Sequence, residues 1–240
     1  MRSISRDYDA VVAVGNKFYI FQDDEWFAYE PPTDNKPVTV TPKKINDGAT
    51  WAMLKDLGYR NLDAVWTDDT TDYASQGNSL VRKKSSGNSE LLNLLDTLKV
   101  QKPTPDQGKR AFDPELGLDT VTMRRTASNA YYYLFQDEEV CRVDANQKNK
   151  VTLDPKKIGV SGGDWVGLQE GKPKDDKQDD GRPKAVQWYK DIDAICETRA
   201  NKVTSGYLVF KGDQVLELDK DGKKTAGPMP IMQKWPMKLG

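Results

Sequence analysis

The sequence repeats itself four times, and a repeat period of tens of residues limits the architecture of a chain more than any local propensity does. An aromatic residue, a polar turn and a second strand-like run recur in Phe21–Glu30 (FQDDEWFAYE), Phe135–Asp144 (FQDEEVCRVD) and Phe210–Asp219 (FKGDQVLELD). A degraded copy, Ser75–Lys84 (SQGNSLVRKK), puts Ser75 in the aromatic position. Each copy is preceded by an Asp, a small residue and a β-branched one: Asp9-Ala10-Val11, Asp63-Ala64-Val65, Asp119-Thr120-Val121 and Asp193-Ala194-Ile195. Asp9 to Phe21 and Asp63 to Ser75 both span 12 positions, whereas Asp119 to Phe135 and Asp193 to Phe210 span 16 and 17, a difference expected to lie in a longer hairpin loop.

A third element follows, with Val38–Ile45 (VTVTPKKI) matching Val151–Ile158 (VTLDPKKI) at six of eight positions and Gly227–Ile231 as a weaker fourth form. Its Val-Thr alternation predicts an outer strand that Pro42 or Pro155 ends. The second repeat shows no equivalent. There, Ser89 is expected to cap a helix over Glu90–Leu98 with Leu91, Leu94, Leu95 and Leu98 on one face; Asp47 would likewise cap a helix running to Gly58. Each unit therefore holds an inner strand from the Asp, a middle strand ending at the aromatic (Lys17–Phe21, Tyr131–Phe135, Gly206–Phe210), a third strand and an outer one. Four such sheets bury both faces only by radial packing. The predicted fold is all-β, a single four-bladed β-propeller over residues 1–240 with short peripheral helices. Its blades are expected at about 7–60, 61–116, 117–190 and 191–240. The long third step carries a charged insertion over about 170–185, including Gly171–Lys184 (GKPKDDKQDDGRPK).

Composition narrows the chemistry. With no histidine in 240 residues, Ser-His-Asp and Cys-His catalysis, His-ligated zinc and axial imidazole on haem are all excluded. Cys141 and Cys196 are too few for a four-thiolate centre or a disulfide framework, and read as small core residues. The balance of 36 basic against 37 acidic residues argues against nucleic acid as a partner. No run is apolar enough for a membrane span, and MRSISRDYDA lacks the apolar centre of a signal peptide, so a cytoplasmic or intracellular storage location is expected.

In these repeats the chain resembles the hemopexin family, whose units begin Asp-Ala-Ala or Asp-Ala-Val, continue to a Tyr-hydrophobic-Phe-x-Gly-Asp hairpin and reach a Trp-Pro. The residues carrying the likeness are the four leading triplets, Tyr19-Ile20-Phe21, Tyr73, Tyr133-Leu134-Phe135, Tyr207–Asp213 and the terminal Trp235-Pro236. The PKKI element resembles that of stand-alone plant, fungal and bacterial members, plant albumin-2-type proteins among them. The resemblance implies a ring closed without the animal disulfide, by packing of the Trp235-Pro236 tail. It also implies an axial ion site for calcium or sodium built from main-chain carbonyls of Asp9, Asp63, Asp119 and Asp193, with a second ring at Val11, Val65, Val121 and Ile195. Converging carbonyl dipoles favour hard cations. The same Asp residues also fit a plain turn-forming role, and the residues alone leave both open.

No convergent acid, base or nucleophile cluster marks the chain as an enzyme, and no catalytic residue is assigned. A non-enzymatic binding protein is expected, holding an axial metal ion and a small cationic ligand such as a polyamine. The alternative is a lectin-like or defensive recognition protein. A lectin with one site per blade needs a repeated aromatic, but Trp26, Leu80, Val140 and Val215 do not keep one; Trp66, Trp188 and Tyr189 remain as a single site. Lys43-Lys44 and Lys156-Lys157 read as solvated turns.

Overall fold

The computed structural model describes residues 8–34, 36–45, 51–57, 62–68, 70–84, 87–98, 117–146, 150–159, 165–169 and 188–240. Asp47 and the insertion Gly171–Lys184 lie outside them. Four antiparallel four-stranded sheets form along the chain. In the first, β1 (Ala10–Val14), β2 (Lys17–Gln22) and β3 (Glu25–Tyr29) run in sequence; β4 (Val38–Val40) is passed over and β5 (Lys43–Lys44) takes the outer place. The second is β6 (Ala64–Thr67), β7 (Thr71–Gln76), β8 (Ser79–Lys84) and β9 (Ser89–Asn93). β10 (Thr120–Arg125), β11 (Ala130–Gln136), β12 (Glu139–Asp144) and β13 (Lys150–Lys157) make the third. β14 (Ala194–Ala200), β15 (Val203–Lys211), β16 (Gln214–Asp219) and β17 (Lys224–Pro230) make the fourth. The inner strands β1, β6, β10 and β14 each pack against two neighbours and close a ring, so the molecule is a four-bladed β-propeller.

Period-two alternation explains the closure, because successive side chains leave opposite faces of a strand. Val11, Val65, Val121 and Ile195, all at the same repeat position, enter the apolar cluster shared with the preceding blade. Ala10, Ala64 and Ala194, one residue earlier, enter the cluster shared with the following blade. Both faces of every blade are thus core. Among the described residues, an aromatic wedge sits in three of the four gaps. Trp51 lies 5.2 Å from Phe21, Trp165 lies 5.0 Å from Phe135 and Trp235 lies 5.1 Å from Phe210. In the second blade Ser75 replaces the aromatic, and the gap is filled by Leu94, Leu95 and Leu98 of the helix α1 (Leu94–Leu98). The degraded repeat is a matched exchange of ring and wedge for leucines.

Four local expectations change. The predicted helix over Glu90–Leu98 is strand as far as Asn93, because β8 needs an outer partner; Leu91 consequently faces solvent at 62% exposure. Asn93 rather than Ser89 caps α1, its Oδ1 accepting from the Asp96 N–H at 3.0 Å. Pro155 does not end the outer strand but lies within β13, and Pro42 separates β4 from β5. An outermost strand has one edge without a sheet partner, and proline is tolerated there. Lys43-Lys44 and Lys156-Lys157 therefore belong to strands, where all four are exposed. In the fourth blade the extra spacing lies in strand length rather than in the loop: β14 and β15 extend to a two-residue turn, Asn201-Lys202. The third blade has the expected longer loop, 126–129.

Ring closure uses more than tail packing. After the helix α2 (Ile231–Lys234), Trp235 packs on Phe18, Tyr29 and Phe210, and β18 (Met237–Leu239) pairs in parallel with β4. The Val38 N–H donates to the Pro236 carbonyl at 2.8 Å and the Gly240 N–H to Val40 at 3.0 Å. Trp235→Ala is expected to lower unfolding free energy by about 3–5 kcal/mol in urea titration. The exposed Leu239→Ala should change it by under about 0.5 kcal/mol.

Candidate functional site: the axial channel and its two ends

The four leading Asp residues lie at one mouth of the axis, each tied into its own blade twice. Their N–H groups donate to the carbonyls of Phe21, Ser75, Phe135 and Phe210 at 2.9–3.2 Å. Their carboxylates accept the N–H of the first residue of the next hairpin turn: Asp23 to Asp9 at 2.6 Å, Gly77 to Asp63 at 2.5 Å and Gly212 to Asp193 at 2.5 Å. Asp119 holds the Asp137 N–H in the same way. All four turn residues have left-handed φ of 51–58°, which explains why only Gly and Asp stand there. The turn-forming role of the four Asp residues is therefore real, and it reaches across to the hairpin between the middle and third strands.

The clamp crowds acid at the mouth. Burial pushes the Asp9 and Asp119 carboxyls up to about 7 and that of Asp63 to about 6. The Asp23, Asp193 and Asp63 charges raise Asp9 further, and those of Asp137 and Asp191 raise Asp119, against the turn N–H bonds that lower them. One cation is built in. The residue after the aromatic is Gln22, Gln76 and Gln136 in three blades and Lys211 in the fourth. Gln136 donates to the Gly117 carbonyl at 2.8 Å; Lys211 donates to the carbonyls of Asp191, at 2.7 Å, and Lys190. Burial lowers the Lys211 ammonium, opposed by the charges of Asp191, Asp193 and Asp119.

Below the mouth, Val11, Val65, Val121 and Ile195 line an axial cavity of about 20 Å³, which Met123, Glu197 and Arg199 bound toward the far end. That volume admits about one water or one bare ion and excludes a sugar, a haem or a polyamine chain. An inner strand has a sheet partner on one edge only, so its other edge turns to the axis. The Ile195 N–H donates across the ring to Thr120 Oγ1 at 3.3 Å. Among the described residues, no group of three or more Asp, Glu or Cys side chains is placed to hold a metal, so an axial ion would rest on main-chain oxygens.

The far end is plugged by a buried network that the sequence reading missed. Arg125 pairs with Glu197 and donates to the Thr67 carbonyl. Arg199 reaches the same two acceptors at 3.0 and 3.1 Å, and Thr204 donates to Glu197 while accepting the Arg125 N–H at 2.6 Å. Its only sequence signal is a charged residue at the buried far half of an inner strand, Arg125 in TVTMRR and Glu197 in AICETRA. The lengthened β14 and β15 are what carry Arg199 and Thr204 to this end. The proposed aromatic sugar platforms are core instead: Trp26, Trp66 and Trp188 are all under 5% exposed, as are Leu80, Val140 and Val215, with Tyr189 half-buried. Cys141 and Cys196 are buried and form no disulfide with each other.

No family model matches this sequence, and no curated protein is detectably similar to it. Solved structures are similar over nearly the whole chain. A plant albumin from Cicer arietinum showing hemagglutination shares 16% identity and a TM-score of 0.67, covering 95% of each chain. The hemopexin fold protein from cow pea shares 16% identity and a TM-score of 0.65, covering 96% of each. A seed albumin from Lathyrus sativus shares 15% identity and a TM-score of 0.66, covering 95% of this chain and 94% of its own. The chain is thus a four-bladed propeller of the hemopexin fold, like these plant albumins in architecture.

Two outcomes follow from the ends of the channel. Glu197→Gln leaves two guanidinium groups without their shared carboxylate and is expected to cost about 3–5 kcal/mol in urea unfolding. The raised carboxyls of Asp9, Asp63 and Asp119 make the folded state hold protons more tightly than the unfolded chain. Their contribution to stability is full below about pH 4 and is lost as pH rises through about 6–7. Thermal unfolding in cation-poor buffer should shift to lower temperature between pH 4.5 and 7.5. Asp9→Asn, which keeps an acceptor for the Asp23 N–H, should flatten that slope.

Proposed function

We propose that this chain is a non-enzymatic binding protein whose axial channel holds a hard cation, calcium or sodium, and whose acidic mouth attracts small cationic ligands such as polyamines. The observation that carries this reading is geometric: four inner strand edges without sheet partners converge on a cavity sized for one ion, below four clamped carboxylates. Backbone oxygens of the rings begun by Asp9 and Val11 are the ligands assigned, with their equivalents in the other blades. Two arginines against one glutamate at the far end repel a cation toward the Asp end. A polyamine chain, too large for the cavity, would lie outside the mouth. Raised carboxyls in a cleft also accompany acid-base catalysis. Here each is committed to its own turn, and the axial cavity below is too small for substrate, which favours binding over chemistry.

A second reading, glycan recognition, draws support from the likeness to the hemagglutinating Cicer albumin, and agglutination of erythrocytes by this protein would be its first assay.

Calorimetric titration at pH 7.5 should give one calcium per chain and a weaker interaction with spermine. Both should weaken at pH 5.0, where the mouth is protonated. Asp63→Asn, which spares the turn, should weaken calcium roughly tenfold, about 1.4 kcal/mol. Absence of heat from both probes at pH 7.5 would reject the cation reading.

A further inference from the structure

The gap between the fourth and first blades opens outward as a groove of about 480 Å³. That volume lies within the range of small-molecule sites, and most of the lining residues belong to strands, which hold the shape. On the first blade the wall is apolar, formed by Phe18, held 4.6 Å from Trp235, and by the exposed Pro31. On the fourth blade it is hydroxylic: Thr198 and Ser205 share a hydrogen bond at 3.2 Å, and Thr225 lies further out. Gly206 forms the floor between them. A Cβ there would meet the Leu218 carbonyl at 2.5 Å, so bare backbone is the only surface that fits.

The charged groups in the groove already have hydrogen-bond partners. Glu217 accepts from Lys234 at 2.8 Å, and Asp219 Oδ1 accepts the N–H groups of Asp221 and Lys223, each at 2.9 Å. An ionic ligand would have to displace one of these partners. A neutral ligand with an apolar face and many hydroxyls would not, since hydroxyl pairs both donate and accept and an aromatic wall takes the C–H face of a sugar ring.

We propose that this groove is a saccharide site taking a short neutral oligosaccharide, its C–H face against Phe18 and Pro31 and its hydroxyls on Thr198, Ser205 and Thr225. This rests on the glycan reading above and gives it a location. With a single such groove among the described residues, agglutination would require more than one chain.

The test uses the full chain and two variants, Ser205→Arg and Thr225→Arg. Both positions are exposed, so the long side chain fills the groove without entering the core. An array of neutral oligosaccharides identifies binders, and saturation-transfer NMR with chitotriose, N-acetyllactosamine and cellotriose measures them. The expected result is wild-type binding of at least one neutral sugar, weakened tenfold or more in both variants, with calcium titration and urea unfolding unchanged. If wild type and both variants bind a sugar equally, the groove assignment is overturned while glycan recognition stands. If wild type binds no neutral sugar on the array, both fall.

Discussion

The hydrogen bond from each hairpin's first turn residue to the leading Asp carboxylate sets the geometry on which the other features depend. It joins the start of the inner strand to the turn between the middle and third strands, so three strands of a blade are fixed relative to one another by one side chain. A hydrogen bond to a charged group contributes about 1.5–3 kcal/mol, but the raised carboxyls show that desolvation works against it here. Repeating the clamp four times makes a ring, and the ring gathers four acids at one mouth. The device that orders each blade is also the source of the acidic mouth.

Between blades the controlling contact is apolar. Phe21, Phe135 and Phe210 each meet a tryptophan contributed after the outer strand, so a blade is completed by the segment that leads to the next one. The last wedge, Trp235, has no following blade, and β18 instead reaches back to β4. A pair of strands thereby does in this cysteine-poor chain the work for which a disulfide offers a covalent alternative. The second blade keeps the logic while changing both partners, Ser75 for the ring and a leucine helix for the wedge.

Architecture was legible because fourfold repetition averages over local ambiguity. The inner and middle strands fell where the Asp triplets and aromatics put them, and the turn role of Asp was one of the two readings left open. Peripheral elements were less legible. Glu90–Leu98 has helical periodicity, and only the demand of β8 for an outer partner turns half of it into strand. The role of Pro42 and Pro155 depends on which edge of the sheet they occupy, a tertiary fact. The plug was missed because Arg125 comes from the third blade and Glu197 and Arg199 from the fourth, with no local motif to join them. The groove was missed because it exists only where the chain's first and last blades meet.

Symmetry separates the two binding readings. An axial site sees every blade equally, so it can offer only what the repeat shares, namely carbonyl edges and Asp clamps, and these suit a spherical ion. A ligand with distinct faces needs broken symmetry. In this chain the fourth blade carries several departures: the lengthened β14 and β15, Lys211 in place of glutamine, Arg199 in the plug, and the hydroxyl wall of the groove. Lengthening β14 and β15 places Thr198 and Ser205 beside the groove and Glu197, Arg199 and Thr204 across the axis. One local elongation thus closes the channel to large ligands and raises a wall for one outside it. The repeat explains the fold and the proposed axial ion site; the exceptions to the repeat mark the surface on which recognition of a shaped ligand would have to rest.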